Sequence, residues 1–112
     1  MNTTQVLIDP DIMALPETAA VFAIFSSSIC RFVGETENLK HAMMDLQKPD
    51  LPNIPLRHLM LSNKVKILQY LLLEGSTKTF RIVRKEEWIS IYEPSDSLHS
   101  LSKSNNLSQI AG

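Results

Sequence analysis

His41 and Asp45 stand four residues apart, a spacing that puts two side chains on one face of a helix, and His58 follows further along the chain. Two imidazoles and a carboxylate are metal-ligand types, but transition-metal sites generally want three or four converging donors. The His41/Asp45 face adjoins Lys40 and Lys48 and lies off the apolar stripe of Leu39, Met43 and Leu46, so solvated polar residues are expected there. Cys30 with a histidine would suggest nucleophilic catalysis. Its mid-strand position near Ile29 and Phe32 instead reads as a small core hydrophobe. The densest basic stretch, Arg81 to Lys85, is followed at once by Glu86 and Glu87, a mixed solvated face rather than a phosphate track. With only three glycines the chain has no Gly-rich phosphate loop.

The elements that must position these residues follow from periodicity and punctuation. Val21 to Phe25 is nearly continuous in apolar residues, as expected of a strand covered on both faces. Ser26-Ser27-Ser28 connects it to a partner strand, Ile29 to Val33, which Gly34 ends where backbone freedom is useful. Thr36 is a suitable N-cap for a short helix whose apolar positions are Leu39, Ala42, Met43 and Leu46. Three prolines make 48–55 a loop, and Pro55 suits the first turn of a second short helix through Leu59 or Met60. Lys66 to Leu73 reads as a third strand closed by Gly75-Ser76, with a helix over Asn63 to Glu74 as the alternative. Thr77 to Tyr92 is the last helix. Its apolar residues spread around much of the wheel, so it is expected to pack on more than one side. Val6-Leu7-Ile8 could add a short strand, but a packed arm over residues 1–18 is the preferred reading. Residues 98–112 form a Ser-rich tail with too little apolar surface to offset ordering entropy.

At 112 residues the chain fits one domain, and its 44% hydrophobic and 21% charged residues place it among ordinary globular proteins. The longest apolar run, Tyr70 to Leu73, falls far short of the roughly 20 residues that span a bilayer. No secretory signal is visible, and a single cysteine fits a reducing, cytoplasmic setting. The formal net charge of −1, from 11 Lys+Arg against 12 Asp+Glu, leans against nucleic acid, whose binders usually cluster cations on phosphates.

Two tripeptides carry a family resemblance. Ala20-Val21-Phe22 precedes Phe32-Val33-Gly34, followed by Thr36, Asn38 and Leu39, and Trp88, Ile89, Tyr92 and Pro94 lie at the far end. From Ala19 to Ser97 this order resembles the GIY-YIG nuclease domain, and its last part is similar to the bacterial excision-repair nuclease subunit. In that family two strand tyrosines help deprotonate and orient the attacking water. An arginine on the first helix stabilises charge developing on the phosphate, and a glutamate on the last helix holds a divalent metal. The resemblance puts these roles on Phe22, Phe32, Ala42 and Lys85, none of which carries the family's chemical group. A shift of one residue would bring Glu86 to the metal position, with Glu87 beside it, and the family's closing asparagine falls at Ser97.

The expectation is therefore an α+β fold with a three-stranded, largely antiparallel sheet flanked by helices. The functional reading is a domain that is not an enzyme and binds another protein as adaptor, assembly factor or regulator. No cofactor, metal, membrane or small-molecule substrate is expected, and nucleic acid is an unlikely partner. Phe22, Phe32, Ala42, Lys85 and Trp88 are the candidate docking residues, although Trp88 also reads as core. The alternatives are a nucleic-acid-binding domain on the same scaffold and a diverged nuclease using Glu86 or Glu87.

Overall fold

The computed structural model describes residues 3–8 and 14–94; the expectations for Ser97 and for 98–112 lie outside the described residues. Seven elements follow in chain order: β1 (Thr4–Ile8), β2 (Ala20–Ser26), β3 (Ile29–Thr36), α1 (Leu39–Leu46), α2 (Ile54–Leu61), β4 (Lys66–Leu72) and α3 (Lys78–Tyr92). The strands form one antiparallel sheet in the order β1-β4-β2-β3.

The sheet has four strands where the sequence suggested three. Thr4 pairs with Tyr70 and Ile8 with Lys66, so Val6-Leu7-Ile8 belongs to an edge strand rather than an arm. Ile8 is buried, Val6 packs against the core and Leu7 is exposed, a period-2 alternation too short to stand out in the sequence. The strand reading of 66–73 holds over the helical alternative. β4 places Leu68 and Tyr70 on one face, while Leu71 packs on the other, as a centrally paired strand requires.

The alternation of β2 builds two cores. Ala20, Phe22 and Ile24 face α1 and α2, packing with Leu39, Met43, Leu56, Leu59 and Leu68. Val21 and Ala23 face α3, packing with Cys30, Val33, Trp88 and Ile89. α1 and α2 therefore cover one face of the sheet and α3 the other. Among the described residues, no helix is long and apolar enough to cross a membrane.

Local chemistry explains the joints. Ser27 and Ser28 have φ of 54° and 65°, so the β2–β3 hairpin turns on two left-handed serines. The cap of α1 is Asn38, whose side chain accepts from the His41 backbone N–H at 3.0 Å, rather than Thr36. Thr36 Oγ1 instead accepts from the Asn38 N–H at 3.0 Å and bends the chain into the helix. Asn53 caps α2, with Pro55 in its first turn, and Thr77 caps α3. Gly34 does not end its strand, which runs on to Thr36. It lies opposite Phe22, and a Cβ there would sit 2.7 Å from Phe22 Cζ and 2.9 Å from Phe32 Cε2. Two aromatic rings fill the space that its missing side chain leaves.

α3 departs from expectation on its outer side. Arg81, Trp88 and Ile89 are buried against the sheet, but Phe80, Ile82, Val83 and Ile91 are exposed. The helix packs on one side and leaves further apolar residues open.

Candidate functional site: the groove between the hairpin and the first helix

The hairpin and α1 enclose an open groove of about 430 Å³. Phe22, Phe32, Ala42 and Leu46 supply its apolar lining, because Phe22 and Phe32 project from adjacent strands to the α1 face and Ala42 stands on the facing helix. The two rings lie 6.1 Å apart at 40°, with Gly34 between them. Three of the five candidate residues thus meet in one groove.

Lys85 and Trp88 do not join them. Both stand on α3, on the opposite face of the sheet, and Trp88 is buried there with Val21, Ala23 and Val33. Trp88 is a core residue whose ring meets Tyr92 edge-on at 5.5 Å. The sheet-facing stripe of α3 runs through Arg81, Lys85, Trp88, Ile89 and Tyr92 at i, i+4, i+7, i+8 and i+11. Lys85 lies on that stripe and is half-buried, whereas Glu86, one position on, is exposed. The helical register therefore gives Lys85, not Glu86, the inward place.

The remaining groove residues are polar: Glu35, Thr36, Glu37, Asn38, His41 and Asp45. His41 and Asp45, expected to be merely solvated, are exposed yet share this groove with the two phenylalanines. His41 Nε2 lies 3.6 Å from a Glu17 carboxylate oxygen, and Lys40 reaches the other oxygen at 3.9 Å. Asp45 pairs with Lys48 at 3.0 Å. Three carboxylates line the groove and no Lys or Arg does. The α1 N-terminus offers no free anion site either. The Leu39 and Lys40 N–H groups donate to the Thr18 and Pro16 carbonyls, and Asn38 takes the His41 N–H.

One functional-looking residue escaped the sequence reading. Arg81, taken there for part of a solvated basic face, is buried. Its Nε donates to Glu35 Oε1 at 3.0 Å and a terminal nitrogen donates to the Ser76 carbonyl at 2.7 Å and to Ser76 Oγ at 3.1 Å. Lys78 stands 3.9 Å from the other Glu35 oxygen. Glu35 therefore joins the groove rim to the first turns of α3. Position was the available signal: Arg81 precedes Lys85, Trp88 and Ile89 on one helical stripe.

The donor set does not fit a resident metal ion. Among the described residues no three His, Cys, Asp or Glu side chains are grouped to hold one. The position to which the resemblance assigns the metal carboxylate is a lysine, and Glu35 and Asp45 are already paired with cations. His58 does not line the groove. Cys30 is buried, and burial pushes its thiol from 9.0 up to about 11, so it stays protonated at neutral pH as a core side chain should.

No protein-family model matches the chain, and no curated protein matches it in sequence. Solved structures do. Crystal structures of the GIY-YIG N-terminal endonuclease domain of UvrC from Thermotoga maritima superpose with a TM-score of 0.56 over 74% of this chain and 86% of that one. One is an asparagine-to-alanine point mutant, 13% identical to this chain, and two are tyrosine-to-phenylalanine point mutants, each 14% identical. All three are bound to their catalytic divalent cation. Two expectations are overturned by these likenesses to endonuclease domains: that the chain is not an enzyme, drawn from the substituted positions, and that nucleic acid is an unlikely partner, drawn from the net charge. At this level of identity the likeness establishes architecture, and the fold of this chain is GIY-YIG-like.

Proposed function

We propose that this domain acts on nucleic acid, engaging a strand in the groove between β2, β3 and α1. The observation that carries this reading is the likeness in fold to endonuclease domains over most of both chains. The groove itself adds support, since it stays open with a half-buried aromatic, Phe32, in its lining. An accessible ring can stack an unpaired base, and such stacking tolerates any sequence. His41, exposed at the same groove, adds a hydrogen-bonding side chain.

Electrostatics set the mode. A net charge of −1 and a carboxylate-lined groove give little phosphate neutralisation, so affinity for duplex should be weak and salt-sensitive. Single strands and splayed ends, whose bases are free to stack, are the expected ligands.

Cleavage is the second reading, and one observation favours it. Two of the similar domains carry phenylalanine in place of a tyrosine and still hold the catalytic cation. In each of those domains a single such substitution leaves the cation in place. Among the described residues no three metal-ligating side chains are grouped to hold such a cation.

Fluorescence anisotropy with single-stranded, duplex and branched DNA at low and physiological salt tests the proposal, with Mg²⁺ or Mn²⁺ added for cleavage. Ala42→Arg should tighten binding about tenfold, the worth of one charge-assisted contact of roughly 1.5 kcal/mol, while Ala42→Glu should weaken it. Absence of saturable binding to every nucleic acid, or indifference to both variants, would overturn the reading.

A further inference from the structure

We propose that the outer side of α3 seats a second copy of this chain, helix against antiparallel helix across a two-fold axis. The inference does not depend on the nucleic-acid reading, because α3 lies on the sheet face away from the groove.

Three observations converge. Phe80, Val83, Arg84, Glu87 and Ile91 fall at i, i+3, i+4, i+7 and i+11, a stripe about a third of a turn from the sheet-facing one. Phe80, Val83 and Ile91 are 46%, 52% and 69% exposed, and three large apolar side chains in register on one helix form the seam of a helix partner.

Charge then selects the partner. The cations of α3, Lys78, Arg81, Arg84 and Lys85, all stand in its first half, while Glu86, Glu87 and the capping Glu93 stand in its second. Its first turn holds no acidic residue and its last turn no basic one, so the charges run against the helix dipole. A parallel neighbour of like sequence would repeat the conflict. An antiparallel copy sets each basic half beside an acidic half and opposes the two dipoles.

The register is self-complementary. An axis crossing between Lys85 and Glu86 brings Phe80 opposite Ile91 of the second copy and Arg84 opposite its Glu87. Each helix already holds its Arg84–Glu87 pair at 2.9 Å, with the Arg84 guanidinium 5.5 Å from the Phe80 ring centroid. The two pairs then meet at the middle as a four-charge network flanked by apolar contacts. Such a C₂ contact is isologous, the commonest symmetry of soluble oligomers. One helix stripe sits at the small end of interface sizes, below about 1,200 Å² in total, so association is reversible and concentration-dependent.

Sedimentation equilibrium of the full chain over a concentration series tests this. The expected result is a molar mass rising from 12.6 kDa toward twice that value. Val83→Ser and Ile91→Ser, both at exposed positions, should each weaken the dimer about tenfold, whereas Leu61→Ser at an exposed apolar site on α2 should not. Arg84→Glu and Glu87→Arg should each weaken it, and the two together should restore it. A monomer at every concentration, whether the stripe is bare or covered by the chain beyond Pro94, overturns the proposal. A dimer indifferent to Ile91→Ser overturns it as well, as does a double charge swap that fails to recover association.

Discussion

The two faces of the sheet treat charge in opposite ways. On the α1 face the carboxylates of Glu37 and Asp45 stand at the rim of an open groove, in reach of water and of small cost to the fold. On the α3 face Arg81 is drawn into the interior and answered by Glu35 and Ser76, and Gln69 donates to the Tyr92 hydroxyl between strand and helix. The first face keeps polar groups available to a ligand. The second consumes them in fixing one helix on the sheet. Glu35 belongs to both, since it lines the groove and holds Arg81. A ligand that displaced its carboxylate would loosen the seat of α3.

The sharpest way to break this contrast is to remove its buried member. Arg81→Met should cost about 3 kcal/mol by urea denaturation, because Glu35 loses its main partner while remaining largely covered. Lys48→Ala, which breaks the exposed pair with Asp45, should leave the urea midpoint nearly unchanged. Equal effects would erase the distinction between the faces.

A smaller effect probes the groove's lining. Gly34→Ala should cost about 2 kcal/mol, since the new methyl overlaps the rings of Phe22 and Phe32. Adding Phe32→Leu to that variant should return part of the loss. If Gly34→Ala were neutral, the two rings would not be packed as described.

The smallest effect lies at the tip shared by both faces. Ser28→Gly should stabilise the protein by about 1 kcal/mol, because glycine adopts the left-handed turn at no steric cost. A destabilised variant would mean that the serine side chain supports the turn.

Much of this contrast was legible in the residues. The continuous apolar run of β2 announced a strand covered on both faces, and the Phe-Val-Gly and Trp-Ile patterns announced the fold. The fourth strand was legible only as an alternative to an arm, because β1 spans five residues and buries only its last. The separation of Trp88 and Lys85 from the groove was hidden for a different reason. Strand parity puts Phe22 and Phe32 on one face and Val21 and Val33 on the other, but only the pairing register says which face a later helix covers. Arg81 is hidden among its chain neighbours Arg84 and Lys85, and only its position around the helix turns it toward the sheet. The substituted positions do not by themselves decide activity, because the fold they sit in is that of endonuclease domains.

The placement of β1 has a consequence for synthesis. Thr4 finds its partner in Tyr70, and β4 in turn separates β1 from β2, so the strand nearest the start of the chain is the last to gain a neighbour. On the ribosome the β2–β3 hairpin and α1 can assemble while β1 still has nothing to pair with, since β4 emerges some sixty residues later and chains grow at roughly 5–20 residues per second. For those seconds Val6, Leu7 and Ile8 are an unpaired β-forming segment carrying no charge, the kind of edge that joins other chains. The pairing of β1 is thus timed by the emergence of β4, and a pause placed before Lys66 would lengthen the interval in which the nascent protein is open to mispairing.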